Sequence, residues 1–490
     1  MSIFQPTFHL TRKPGETIYG ALARHLINEI GRGRLAAGTK LPGTRSLAQQ
    51  LGVSRNTVLC AYDEAIAQGW LETRRASGTF VAESVPHVQP SASSPHGVTR
   101  KTPGFDMPEI PGLPGACNLE PTRRGSLAGG LPDFRLIPVD LLARAYRRVL
   151  RHRGHTLLGY GDPRGELGLR QELAKMYSAT RGIALTTDNL LITRGAQMAL
   201  SLAARLLIRP GDRVAVERYG YQPVWDMLRL AGAQLVPIPV DESGMQVERL
   251  GEMDNLRAVY ITPHHQYPTT VLLSPSRRAW LLRWAEQRGC AILEDDYDHE
   301  FQYRGQPVLP LKSQDRAGVV IYIGGLSKVL APGLRIGCLV GPQQWIEQAA
   351  VLRRTWDHQG DQPTEAAVAE LLGTGEIPRH IRRMRKVYAG RRQALLEALD
   401  KELPGSFRIQ VPAGGMAVWA RIQDGTDPEA WSVEAKKNGV EARTARHFDL
   451  RNRPAPFMRL GFAANDEGEI RAAVKQLRRA HETVRGRTAS

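Results

Sequence analysis

The chain has 490 residues, 42% of them hydrophobic, with 66 Lys or Arg against 49 Asp or Glu. This apolar content excludes a wholly disordered chain, no apolar run reaches the ~18 residues of a membrane helix, and residues 1–15 lack the apolar stretch of a secretory leader. The net charge of +17 favours a polyanionic partner. Cys60, Cys117, Cys290 and Cys338 lie far apart, which predicts neither a disulfide scaffold nor a thiolate zinc site and suits a reduced cytoplasm.

Residues 17–82 read as three helices and a hairpin. The spacing predicts a first helix near Ile18–Gly31, with Ile18, Leu22, Leu26 and Ile30 on one face. A short helix follows at Ser46–Leu51, then a tight turn at Gly52-Val53. Ser54 caps a third helix whose buried stripe is Val58, Tyr62, Ala65 and Ile66. Residues 70–82 read as two strands joined across Arg74–Gly78. Two short helices joined by a Gly-containing turn and followed by a hairpin describe a winged helix-turn-helix; the pattern also fits a helical protein-interaction module. In the DNA reading, Arg55, Asn56 and Thr57 occupy the first turn of the helix that enters the major groove, where Arg and Asn pair with base edges. Arg45, just before the first helix of the pair, and Arg74, Arg75 and Thr79 in the wing suit phosphates. Ten basic residues against five acidic ones over residues 1–82 support double-stranded operator DNA as the partner.

Residues 83–116 are dense in Pro, Ser and Gly without apolar periodicity, so they are expected to be a flexible linker between residues 1–82 and residues 117–490. The long C-terminal unit alternates helical patterns with buried-strand candidates at Arg213–Val216, Val259–Ile261, Ala291–Leu293 and Val319–Ile323. That rhythm predicts an α/β domain with a mostly parallel sheet, and after about Trp356 a smaller α+β lobe.

Four features of this unit make chemical sense together. Ser327 and Lys328 follow the buried strand VVIYI, where apolar surroundings lower an amine's pKa and let it form a Schiff base with an aldehyde; Arg335 follows as a permanent phosphate-binding cation. A carboxylate of Glu294-Asp295-Asp296, after the strand AIL, can hold a pyridine nitrogen protonated, and Tyr297 beside them can bond a ring hydroxyl. Thr193-Arg194-Gly195-Ala196-Gln197 opens a helix whose free N–H groups, at Ala196 and Gln197, form an anion site. Tyr221 offers a ring to stack on a flat heterocycle.

The stretch GRLAAGTKLPGTRSLAQQLGVSRNTVLCAYDEAIAQGWLETRRASGTFVA resembles the DNA-binding domain of GntR-type bacterial regulators, through its LP-x-x-R, LGVSR-x-T and SGTFVA elements. The ordered set Gly-x-Gln, aromatic, Asp-x-Tyr, Lys and Arg resembles the fold-type I aminotransferases that use pyridoxal 5'-phosphate (PLP), over roughly residues 118–485. Gly130-Leu131-Pro132-Asp133, LGYGDPRGELGLR at 158–170 and MRLGFAA at 458–464 fit the same pattern. The head, linker and body together, with EDDYDHEFQYR and SKVLAPGLRIG, are similar to the MocR/PdxR regulators. The resemblance implies that Arg459 clamps an effector's carboxylate and that Tyr160 reaches the partner subunit's cofactor phosphate in a domain-swapped homodimer. Three positions depart from the family pattern: Gly325 replaces a hydroxyl residue, Thr270 stands where Gly is usual, and His264 replaces a small residue. His264 and His265 are thereby placed at the effector pocket. As neighbours on a strand they would point to opposite faces, so no metal is expected. The reading that follows is a PLP-dependent transcriptional regulator sensing PLP or an amino compound, with residual transamination left open. The alternative is a PLP-dependent aminotransferase carrying a DNA-binding appendage.

Overall fold

The computed structural model describes residues 15–74, 77–84, 104–106, 125–305 and 308–489. Two compact units divide the chain, Met1–Glu109 and Ile110–Ser490. The expected linker lies outside the described residues except at 83–84 and 104–106, as does Arg75. No helix among the described residues is long and apolar enough to cross a membrane.

In the first unit, α1 (Ile18–Gly31) starts at Thr17, whose side chain accepts the Gly20 N–H. Leu22, Leu26 and Ile30 are buried as their spacing predicts, whereas Ile18 is 42% exposed because it sits in the first turn, beyond the edge of the core. The second helix, α2 (Thr44–Leu51), begins two residues earlier than expected, so Arg45 lies inside its first turn and not before it. Gly52 ends it at φ 60°, a conformation that favours glycine. Ser54 then caps α3 (Arg55–Ala67), its Oγ accepting the Thr57 N–H at 3.0 Å. On α3 the buried residues are Val58, Ala61, Tyr62 and Ala65; Ile66 is half-buried. The strands β1 (Leu71–Arg74) and β2 (Gly78–Val81) pair antiparallel, and Leu71 and Val81 close the core over Leu22, Leu47 and Val58. Each of these buried aliphatic side chains contributes ~1.5–3 kcal/mol.

The second unit opens with α4 (Val139–Leu157) and α5 (Leu167–Arg181), followed by β3 (Leu190–Thr193), α6 (Gly195–Leu207), β4 (Arg213–Glu217), α7 (Gln222–Leu230) and β5 (Gln234–Ile238). A small β6–β7 pair (Val240–Asp241, Gly244–Met245) precedes β8 (Leu256–Ile261), α8 (Pro275–Arg288), β9 (Ala291–Asp295), α9 (Leu311–Gln314), β10 (Val320–Gly325) and β11 (Gly337–Val340). The seven-stranded sheet has the order β3-β11-β10-β9-β8-β4-β5, and only β11 runs against its neighbours. Alternate residues serve opposite faces, as strand geometry requires. Leu191, Val216, Tyr260, Leu293 and Ile321 pack under α6, α7 and α10 (Gln343–Trp356). Ile192, Tyr322 and Cys338 pack on the other side against α4, α5 and α11 (Gln362–Gly373), and Val259 and Ile292 pack there against α8.

The lobe change comes later than Trp356. The helix α11 buries Ala366–Leu372 in the large lobe, and the switch falls inside α12 (Glu376–Glu402): Ile377 and Ile381 join the large core, and residues from Met384 onward join the small one. The small lobe has β12 (Phe407–Ile409), β13 (Ala417–Ile422), α13 (Pro428–Lys437), β14 (Arg443–Thr444), α14 (Ala445–Phe448), β15 (Phe457–Gly461) and α15 (Glu467–Ala489). Its antiparallel sheet, in the order β12-β13-β15-β14, buries Val418, Ala420, Ile422, Met458 and Leu460 under α12, α13 and α15. Period-two alternation therefore puts Trp419, Arg421, Phe457 and Arg459 on the sheet's opposite face.

The loop after β8 carries a local strain. Thr270, a β-branched residue, stands at φ 65°, where only glycine is unpenalised. Thr270→Gly is expected to stabilise the protein by about 1 kcal/mol, the relieved strain exceeding the added chain entropy. Urea unfolding measures this, and an unchanged or lowered midpoint would contradict it.

Candidate functional site

Parallel strands end at one edge of a sheet, and the crevice beyond that edge is where such folds hold ligands. Here β9 ends in Asp295, β10 leads into Ser327 and Lys328, and β3 leads into α6 at Gly195. Asp295 is buried. One carboxylate oxygen accepts the Tyr260 hydroxyl at 2.8 Å, while Oδ1 is buried without a hydrogen-bond partner. Burial pushes this carboxyl up to about 7, with Asp296 adding to the rise and Tyr260 opposing it. An orphaned buried acceptor of this kind is completed by a cationic N–H donor such as a pyridinium.

Lys328 is half-buried, and burial lowers its amine to about 8, helped by Arg459 and opposed by Asp298 and Asp295. Arg335 curls over the start of α6. Its Nη2 donates to the Arg194 carbonyl at 2.9 Å, and a Cβ on Gly195 would stand 3.2 Å from its guanidinium. Glycine at 195, itself at φ 77°, thus lets a permanent cation sit at a helix N-terminus, which is the charge pattern of a phosphate cradle. Ala196 and Gln197 are the next residues of that turn, and the Gln197 amide reaches the Tyr221 hydroxyl at 3.4 Å.

Tyr267, which no motif in the sequence singled out, joins the remaining members. Its ring meets Tyr221 at 5.6 Å, Tyr297 at 5.9 Å and the Arg459 guanidinium at 4.8 Å. Arg459 is 1% exposed and makes no ion pair among the described residues. Its Nη1 donates weakly to the Ala128 carbonyl at 3.5 Å, and its Nε is buried without a partner. Gly129 makes room for it, since a Cβ there would lie 2.7 Å from Nη1. A buried guanidinium without a carboxylate is costly, and a ligand's anion relieves that cost. Tyr160 stands apart from this cluster at 87% exposure, its ring 4.5 Å from His358.

The histidines differ from expectation. His264 and His265 lie in the loop after β8 and not on a strand, so their rings are not on opposite faces but 4.5 Å apart. His265 bonds Asp298 at 2.7 Å, and His299 sits 4.5 Å from His264 on its other side. Burial drives the His264 ring to about 2, so it is neutral, and neither ring nitrogen has a partner. Among the described residues, no three His, Cys, Asp or Glu are disposed to hold a metal.

On the first unit, Arg45, Arg55 and Asn56 are exposed together, while Thr57 is half-buried and bonded to Ser54 at 2.8 Å. Arg74 is tied to Glu72 at 2.6 Å and Glu83 at 2.8 Å and lies over the Phe80 ring. Exposed pairs of this kind are weak and exchange readily for phosphate. Thr79, half-buried, holds the wing to residue 41 through its carbonyl. Lys40, over the Phe80 ring at 5.8 Å, adds a cation beside the wing that sequence reasoning counted only as charge.

Two family models match the chain: "Bacterial regulatory proteins, gntR family" over residues 18–81 and "Aminotransferase class I and II" over residues 127–477. The chain is 32% identical to the probable rhizopine catabolism regulatory protein MocR of Rhizobium meliloti, covering 96% of this chain and 95% of that one. It is also 32% identical to the pyridoxine biosynthesis transcriptional regulator PdxR of Corynebacterium glutamicum, covering 79% and 80% of the two chains. The α-aminoadipate aminotransferase LysN of Thermus thermophilus, solved with N-(5'-phosphopyridoxyl)-L-leucine, superposes with a TM-score of 0.68 at 30% identity, covering 74% of this chain and 92% of that one. A GntR DNA-binding head fused to an aminotransferase-like body therefore makes this chain a member of the MocR/PdxR type of GntR-family transcriptional regulators.

Proposed function

We propose that the body binds PLP covalently through Lys328 and senses an amine-bearing anion there, changing the head's grip on operator DNA. The observation that carries this is the pairing of Lys328, an amine lowered to about 8, with Arg459, a buried cation lacking a carboxylate, within electrostatic reach of each other. When bound, PLP supplies an electrophilic carbon and an electron-withdrawing ring. The chain's own groups do the rest. Lys328 supplies the nucleophilic amine, and the unpartnered Asp295 Oδ1 accepts a ring N–H. Arg335, the Ala196 and Gln197 N–H groups and the Ser327 hydroxyl suit the phosphate. Tyr221 bounds the ring face, Tyr297 offers its hydroxyl, and Arg459 takes the effector's anion.

Tyr160, 87% exposed, would act across a domain-swapped homodimer. Residues 83–116 would tether the heads at 1–82 to the bodies at 117–490 in the cytoplasm. The effector can shift this assembly only by its differential affinity for two arrangements. Sensing is favoured over metabolism because Arg45, Arg55 and Asn56 are displayed together on the head. The complete Lys328, Asp295 and Arg459 set is what favours the second reading, an aminotransferase with an appended DNA-binding domain.

At pH 8 roughly half of Lys328 is free amine, against roughly 0.4% of an ordinary lysine. In PLP-free protein, brief trinitrobenzenesulfonate treatment at pH 8 is therefore expected to label Lys328 first by peptide mapping; labelling no faster than at exposed lysines would contradict the assignment. With PLP added, a visible absorbance band is expected that borohydride removes and Lys328→Ala lacks. A protein that takes up PLP equally well without Lys328 would overturn the covalent link. On DNA, Arg55→Ala or Asn56→Ala is expected to lose roughly 1–3 kcal/mol of discrimination at one base position, while Arg74→Ala weakens all sequences alike and flattens the salt slope. Competition binding over a panel of single-base operator variants reads both effects, and an unchanged base preference in Arg55→Ala would refute the groove assignment.

A further inference from the structure

Beside Lys328, Asp295, Arg335 and Arg459, none of which lines it, a cavity of about 600 Å³ opens between the two lobes of the body, with His264 and His265 in its wall. That volume suits a small organic ligand. Its small-lobe wall is the outward face of the β12-β13-β15 sheet, where Arg408, Arg421 and Phe457 stand side by side in register and Trp419 stacks on Phe457 at 5.2 Å. Arg408 and Arg421 are direct cross-strand partners, a like-charge juxtaposition that destabilises a sheet. Both are exposed, and neither makes an ion pair or a side-chain hydrogen bond among the described residues. The other charges in the lining largely cancel: Arg218 is held by Asp449 at 2.6 Å and Asp241 by Arg277 at 2.6 Å, leaving Glu242 as the single unpaired acid against two unpaired guanidiniums.

The large-lobe wall supplies an independent observation. His264 lines this cavity at 3% exposure, with both ring nitrogens unpartnered. Neutral imidazole carries one donor and one acceptor, and burying both unsatisfied is costly unless a ligand meets them. Thr270 lines the same wall.

We propose that this cavity is a second ligand site, which binds a small organic anion with an apolar body, held by Arg408 and Arg421 on one lobe and by His264 on the other. Trp419 and Phe457 form the apolar wall. A ligand seated here spans both lobes and ties their relative position to its own binding.

The probe is 1-anilinonaphthalene-8-sulfonate, titrated into the full-length protein after borohydride has fixed PLP on Lys328, and in parallel into Lys328→Ala. One equivalent is expected to bind with the same affinity in both, with quenching of tryptophan emission. The double variant Arg408→Glu/Arg421→Glu, altered only at exposed positions, is expected to bind more weakly by about tenfold or more. The uncharged analogue N-phenyl-1-naphthylamine is expected to ignore that change, and His264→Asn to retain more affinity than His264→Leu. Equal affinity in the double variant and the parent would overturn the proposal. So would loss of binding on fixing PLP, which would place the probe in the Lys328 site. Failure of PLP to bind leaves the Lys328→Ala titration intact, so the two readings fail separately.

Discussion

The parallel pairing of β9 with β10, which sets Asp295 opposite Ile323, is the constraint from which the site takes its geometry. Side chains alternate along a strand, so a slip of one residue would turn Asp295 to the other face and bring Glu294 to the site. Glu294 is instead used on its own side, where it accepts the backbone N–H groups of Leu311 and Lys312 and caps α9. Tyr260 on β8 reinforces the register with its bond to Asp295, and the β10 end then fixes where Lys328 begins its turn. Residues more than a hundred positions apart meet because parallel strands deliver them to one edge.

The body holds several charges that its own groups do not satisfy. Among the described residues, Asp295 lacks a partner on one oxygen and Arg459 lacks any carboxylate, and the Lys328 amine is lowered by burial. Such groups cost stability in a folded protein, and they cluster where ligands complete them. The cross-strand Arg408–Arg421 pair repeats this pattern at a second place, on the face of the small sheet that also presents Arg459. The fold therefore stores unsatisfied positive charge along the seam between the lobes.

Much of this was legible in the sequence because the signals were local. The α3 cap at Ser54, the strands expected at Arg213–Val216, Val259–Ile261, Ala291–Leu293 and Val319–Ile323, and the Lys328–Arg335 spacing all come from short patterns, although β4, β9 and β10 run one or two residues further, so that Asp295 ends its strand instead of following it. What escaped depended on tertiary context. The edge strand β5 contains Pro237, and β11 begins with a glycine, so neither reads as a central strand. Tyr267 carries no signal beyond a turn dipeptide, yet three site residues pack on it. The neighbouring histidines were misplaced because the chain leaves the sheet at Ile261, and a loop does not obey strand alternation. The late lobe boundary reflects α11, whose apolar residues fit a large-lobe surface that no local pattern announces.

The central claim is that ligand chemistry at Lys328 and DNA affinity are one coupled equilibrium. It is tested by recording the visible spectrum and the fluorescence anisotropy of a labelled operator duplex in the same cuvette, while an α-amino acid, a γ-amino acid and an aminosulfonate are titrated in turn. The account predicts that one of these changes both signals with a common midpoint, with no steady accumulation of oxo product. Sustained turnover at about 1 s⁻¹ or faster, with the anisotropy flat throughout, would contradict it.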